Sequence, residues 1–304
     1  MTYTVGIAAI TGKLALCIAK ALLKRPDVNI RGYCRTPSKL PPSLLNSTQV
    51  SVTQGGHDDV DAVRSFAKGC DVVICCYLSE DSNVMIEGQK MLIDVCEQEG
   101  VGRYIASDYT MDYRNLKAGQ YTKKSPMIQV KEYLDTKSIH GIHILNEMFM
   151  ETFFSDLHFF WDPTETKIRY YGSGEEIWEI TSYNTTAQYV AAVALDPQAV
   201  GFFKFLGDRK STHEIISIFE SVYGTKPATE RLGSLDDLWA EANKEGEQDF
   251  VKAGTWFIMT GQVHLGEASD AKRYPHVKPD TLRDFFTTHE MENLRTAVNS
   301  LGQD

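Results

Sequence analysis

The earliest residues whose spacing suggests chemistry are two glycines. Gly6 and Gly12 bracket the turn Gly6-Ile7-Ala8-Ala9-Ile10-Thr11-Gly12, which joins an apolar run, Tyr3 to Ala8, to a helical pattern, Lys13 to Lys24. They keep a Gly-x-x-Gly-x-x-Gly spacing with Ala9 in the middle place. Glycine lets backbone approach a pyrophosphate, and the helix that follows supplies N–H donors and the positive end of its dipole. Ala9, Ile10 and Thr11 complete this candidate cofactor turn, against the bland reading of a plain tight turn. The end of the next apolar run carries Arg35, followed by Thr36, Pro37, Ser38 and Lys39. An acidic residue there takes the ribose hydroxyls of NAD. An arginine pairs instead with a 2′-phosphate, and Lys39 adds charge, so the expected cofactor is NADP. A solvated basic loop is the alternative.

Two further strand ends carry polar groups. Asp71 to Tyr77 is a continuous apolar run followed by Leu78, and Arg103 to Ser107 is followed by Asp108 and Tyr109. In an open α/β sheet such carboxyl ends face the ligand crevice. Ser107, Asp108 and Tyr109 are therefore expected to face the nicotinamide, with Asp108 either a general acid or base or a cap for its loop and Tyr109 a further catalytic candidate. Asn146, Glu147, Phe149, Met150 and Phe153 follow the Ile142 to Leu145 run and border either the substrate or the core. Trp161, Tyr170 and Trp178 carry the same ambiguity. No metal is expected: His140 and His143 straddle a strand start, and His57 is isolated.

The elements that must position these residues alternate. Apolar runs at Tyr3–Ala8, Val28–Cys34, Gln49–Gln54, Asp71–Tyr77, Arg103–Ser107 and Ile142–Leu145 are separated by helical patterns. This rhythm predicts right-handed βαβ units, hence a Rossmann-type, doubly wound parallel sheet of the α/β class. After Asn146 the rhythm changes to an aromatic-rich segment, strands at Lys167–Tyr171 and Ile177–Thr181, and helices at Thr185–Leu195, Ser211–Tyr223, Ser234–Lys244 and Pro279–Thr287. The expected division is an NADP-binding domain over 1–150, with later segments returning to it, and a smaller, mostly helical substrate lobe over 151–304.

Composition narrows the function. The 304 residues are 42% hydrophobic and 24% charged, with net charge −10. A phosphate-binding surface needs the opposite sign, so nucleic acid and anionic membranes are disfavoured as partners. No apolar run reaches the ~18 residues of a membrane span. Gly6, Gly12 and Lys13 interrupt the apolar N-terminus, which does not read as a signal peptide. The six cysteines read as reduced core thiols of a cytoplasmic protein.

Together with the turn and the Arg35 segment, the runs Asp71-Val72-Val73-Ile74, Arg103 to Tyr109, Phe149-Met150-Glu151, Gly261-Gln262-Val263-His264 and Tyr274-Pro275 resemble the NmrA-like, isoflavone-reductase-like branch of the atypical short-chain dehydrogenases. The resemblance spans nearly the whole chain. It implies NADPH, a lobe closing a cleft over a small-molecule substrate, and a homodimer as one possible assembly. It places Cys76, Tyr77 and Leu78 over the ribose and adenine side of the cofactor. It also assigns Lys131, on the helix after the fifth strand, as ribose anchor and electrophile or proton donor, with Lys123, Lys124 and Lys137 as competitors. Tyr133 and Lys137 fit the Tyr-x-x-x-Lys dyad of the commoner dehydrogenases, but the dyad lies too close to the next strand. Asn146-Glu147 departs from the Arg-Pro-Gly usual at its place, which weakens any transfer of substrate preference. The activity expected is hydride transfer from NADPH to a mostly apolar, secondary-metabolite-like substrate. The alternatives are a redox-assisted rearrangement, isomerisation or cycloaddition on bound cofactor, and a non-catalytic NADP-sensing regulator.

Overall fold

The computed structural model describes residues 2–117, 119–246 and 248–302. Strands β1 (Tyr3–Ala8), β2 (Val28–Cys34), β3 (Val50–Gln54), β4 (Val72–Cys75), β5 (Arg103–Ile105) and β6 (His140–Leu145) match the expected apolar runs. With β7 (Met148–Phe149), β8 (Trp161–Asp162), β9 (Lys167–Tyr171), β10 (Ile177–Thr181) and β11 (Gly201–Lys204) defined in chain order, the central sheet reads β11-β6-β5-β4-β1-β2-β3. Every pairing in it is parallel. All four residues of β4 are buried, as a strand covered on both faces requires. The order reverses at β1, flanked by β2 and β4, and the crevice for a ligand opens there at the strand C-termini.

Chain order and spatial order part company after β6. The strand β11 returns to extend the central sheet, and helix Tyr183–Leu195 packs against helix Lys13–Leu22. Buried Arg103 fastens this return by donating to the carbonyls of Val193 (3.1 Å) and Asp196 (2.6 Å). After β6 the rest of the chain combines helices with small sheets, including the strands expected at Lys167–Tyr171 and Ile177–Thr181. It contains two three-stranded sheets: β7 and β10 with β12 (Asp208–Ser211), and β8 and β9 with β13 (Ala228–Gly233). Its core is aromatic, built around Phe153, Phe154, Phe160, Trp178 and Phe257. Met150 and Phe153 lie fully within that core, so the expectation that they border substrate is corrected: their helical spacing reflects packing. Helix Phe250–Met259, beyond the expected elements, packs on this core and carries one wall of the site.

Candidate active site

At the end of β1 the chain turns through Ala9, whose φ of 59° is left-handed. The Gly12 amide donates to the Ala9 carbonyl (2.9 Å) and the Ile10 amide to Tyr33 (3.1 Å). Helix Lys13–Leu22 then begins with Gly12 as its N-cap, no side-chain cap and no acidic residue in its first turn. Its terminal N–H groups are thus left for an external acceptor. Gly6 has another role than the one expected. It lies inside β1, where a Cβ would meet Val73, Phe66 and Cys70 at 2.9–3.1 Å, so it is small to admit the core. Ile10 is fully buried against Gly32 and offers the turn only its backbone.

A cavity of about 160 Å³ adjoins this turn. Ala9, Thr11, Arg35, Thr36, Lys39, Tyr77 and Leu78 line it, joined by His57 from the loop after β3. Two cations stand where β2 ends, and an open helix N-terminus stands where β1 ends, which is the donor set a phosphorylated dinucleotide requires. Cys76 is not in this wall; its sulfur lies 4.0 Å from the Tyr109 hydroxyl. Ser107 is also behind it. The Ser107 hydroxyl donates to the Tyr77 carbonyl (2.7 Å) and its amide to Gln89 Oε1 (3.1 Å), tying the ends of β4 and β5 together.

Leu78 and Ser79 also line a second cavity, of about 540 Å³. Its walls are largely apolar, with Met111, Met148, Phe149, Leu157, Phe250 and Ile258 among them. Phe149 is held by stacking on Tyr183 at 4.0 Å. Into this cleft project Lys124 and Glu147. Lys124 closes the short turn Thr122–Lys124 that leads into helix Ser125–Leu134, and its ammonium donates to Thr110 Oγ1 at 2.6 Å. Loss of water pulls its pKa down to about 8, while the carboxyls of Glu147 and Asp108 oppose that fall. Glu147 is 4% exposed and takes a left-handed backbone, φ 58°, at a non-glycine position. Burial, reinforced by Glu179, pushes its pKa well above the carboxylate range, against the pull of Lys124. Its Oε1 has no hydrogen-bond partner.

The other polar side chains in the cleft are largely occupied. His158 Nδ1 accepts from the Phe160 amide (3.3 Å), so Nε2 carries the proton towards Thr255 Oγ1 (3.1 Å), and burial pulls its pKa down to about 3. The Tyr121 hydroxyl donates to the Phe250 carbonyl (2.7 Å) and that of Tyr109 to Cys75 (3.1 Å). Tyr109 therefore forms wall, held at φ 43°, and burial raises its pKa far above the ordinary phenol value.

The structure does not bring two of the expected catalytic residues to the cleft. Lys131 is partly exposed on the far side of its helix and pairs with Asp135 one turn on. Asp108 is buried behind the wall, where its Oδ2 binds His143 Nδ1 (2.6 Å) and accepts from the Tyr113 hydroxyl (3.2 Å). His143 is thus a satisfied buried histidine. Lys137 pairs with Asp94, to which Tyr133 also donates, so that dyad faces away from the site as expected. Asn146 is fully buried with its side-chain amide unpartnered and does not line the cleft. Among the described residues no group of three or more His, Cys, Asp or Glu side chains is placed to hold a metal, and no helix is long and apolar enough to cross a membrane.

Comparison with known proteins agrees with the geometry of the first cavity. Residues 10–197, more than half of the chain, match the NAD(P)H-binding family model. The chain belongs to the NAD(P)H-binding family. The fold of this family member superposes on an isoflavone reductase with a TM-score of 0.77 at 16% identity, covering 94% of this chain and 98% of that one. It superposes on the NADPH complex of leucoanthocyanidin reductase from Vitis vinifera with a TM-score of 0.75 at 17% identity, covering 93% and 98%. The oxidoreductase aprR of Aspergillus flavus is 32% identical over 149 residues, which is 47% of this chain and 46% of that protein. The chain spans less than half the length of the curated relatives it matches. The expected α/β fold and NAD(P)H-binding character hold, and the likeness to isoflavone-reductase-like proteins holds at the level of the fold.

Proposed function

We propose that this protein is an NADPH-dependent reductase of small, mostly apolar substrates, with Lys124 in the role the sequence reading gave to Lys131. The observation that carries the reading is the placement of one ammonium inside an apolar cleft that shares Leu78 and Ser79 with the dinucleotide cavity. The isoflavone and leucoanthocyanidin reductases that share its fold, and the related fungal oxidoreductase, support it.

Bound NADPH supplies a hydride. The chain supplies the rest. Arg35 and Lys39 take the 2′-phosphate, and the helix N-terminus at Gly12 takes the pyrophosphate. The apolar walls hold the substrate and exclude water, which strengthens every charge inside. Thr110 fixes the Lys124 ammonium, so its charge meets the electron density that gathers on the substrate as hydride is delivered.

The test is NADPH consumption with a panel of aryl ketones, imines and conjugated enones, followed by absorbance. Steady loss of NADPH with at least one class, abolished in Lys124→Met and kept in Lys131→Met, is the expected result. Product formed without NADPH loss would favour the rearrangement reading. Tight NADPH binding with no turnover of any class would favour the regulator.

A further inference from the structure

Glu147 is a buried acidic group in the cleft wall that the reductase reading leaves without a task. Its placement is built in. The amides of Asn146 and Glu147 both donate to the Thr110 carbonyl, at 3.0 and 3.2 Å, while the side chain of the same threonine holds Lys124. One residue therefore suspends both the ammonium and the carboxyl over the cavity. The left-handed backbone at Glu147 is a sparsely populated state that surrounding contacts must enforce, and such residues concentrate at functional sites.

The charge on that carboxyl follows from its surroundings. Oε1 is buried with no hydrogen-bond partner, and Glu147 forms no ion pair within 4 Å among the described residues. Behind it lies Glu179, fully buried, its own charge held by Arg209 and by the Leu265 amide (2.6 Å). Asp112 adds a second like charge, and only Lys124 opposes them. A carboxyl without a paired cation in an apolar site, facing like charges, keeps its proton. As a neutral acid it becomes a hydrogen-bond donor.

We propose that Glu147 is a catalytic proton donor and that, with Lys124, it forms a two-donor site for the heteroatom of a C=O or C=N substrate. The proposal rests on the reductase reading. The hydride from NADPH forms the new C–H bond at the acceptor carbon. The π pair of the double bond moves to oxygen or nitrogen, which takes the Glu147 O–H proton. The carboxylate left behind regains a proton from water. A carbon–carbon double bond without a conjugated heteroatom offers the pair nothing to hold, so the site selects polar double bonds.

The experiment uses para-nitrophenol as a stand-in for the developing oxyanion, bound to the NADP+-loaded full chain, with absorbance reporting how much of the bound phenol is ionised. Two donors stabilise the phenolate, so binding should lower its apparent pKa by about one unit or more, the scale of a hydrogen bond to a charged group. Glu147→Gln, whose amide still donates, should keep most of that shift. Glu147→Leu should lower the ratio of ionised to neutral bound phenol about tenfold. Unchanged NADP+ affinity in both variants checks their folds. A Leu variant that shifts the phenol as the wild type does would overturn the proposal. So would a Gln variant that binds NADP+ and the phenol but loses the shift, or a wild type that raises the phenol's pKa or does not bind it. Absence of NADP+ binding by the wild type would instead strike at the reductase reading.

Discussion

Two cavities open at the same edge of the central sheet, and they are made in opposite ways. The dinucleotide cavity is polar and basic, lined by Thr11, Arg35, Thr36, Lys39 and His57, on segments that directly follow β1, β2 and β3. The cleft is apolar and gathers residues from 78–80, 109–111, 121–124, 147–158 and 250–258. The first offers charge and backbone donors, which the local strand–turn–helix pattern dictates. The second must hold charge where water is scarce, and that depends on which distant segments meet. The contrast explains why one ammonium, Lys39, stands at a cavity where a bound phosphate can neutralise it, while another, Lys124, has its pKa pulled down to about 8.

That contrast is breakable at several points. The largest effect belongs to the cleft. Lys124→Met should lower kcat by about 10²–10⁴-fold, the range for a positioned acid or electrostatic group. Lys131→Met should stay near the wild type, because its ammonium pairs with Asp135 on an exposed helix face. Steady-state kinetics on any substrate consumed decides the pair. In the other cavity, Arg35→Ala should weaken NADPH by about 1.5–3 kcal/mol and leave NADH nearly unchanged, measured by calorimetry. Equal losses for both cofactors would remove Arg35 as the 2′-phosphate reader.

Smaller effects separate packing from binding. Gly6→Val should destabilise the fold by about 1–3 kcal/mol through overpacking against Val73 and Phe66, seen as a lower unfolding midpoint. Whatever cofactor affinity it loses should track that instability. The smallest effect is a pH slope. Lys124 binds its proton less tightly folded, at about 8, than at its ordinary 10.5. Between those values the unfolded chain holds more protons, so stability should rise with pH across that window. Below about pH 8 both states are protonated, and the cost of burying the ammonium is fully present. Lys124→Met should flatten the rise, as measured by urea unfolding at several pH values.

The sequence made the central sheet legible because each βα unit is local: periodicity shows the strands, and the Gly6 to Gly12 turn shows where the crevice opens. Even there Gly6 misled, since glycine spacing cannot distinguish a residue small for phosphate from one small for Phe66. The cleft was legible only in part. Lys124 stood among the competitors of Lys131, but choosing between them required the direction in which helix Ser125–Leu134 faces, and Lys124 sits on the turn before it. Asp108 ended the right strand yet points backward to His143, a partner 35 residues away. Phe149 and Met150 are neighbours, one in the cleft wall and the other in the core, because the short β7 ends between them. The unassigned run Phe250 to Met259 carried a usable signal, an Asp249 N-cap before an apolar helical stretch.

The central claim is that the two cavities are one working site that ends at Lys124. An experimental structure of the NADP+ complex tests it most directly. The account predicts the 2′-phosphate between Arg35 and Lys39, the pyrophosphate at the start of helix Lys13–Leu22, and the nicotinamide passing Leu78 and Ser79 to enter the cleft beside Lys124. A nicotinamide that turns away from the cleft, or that sits against a reoriented Lys131 while Lys124 stays remote, would contradict it.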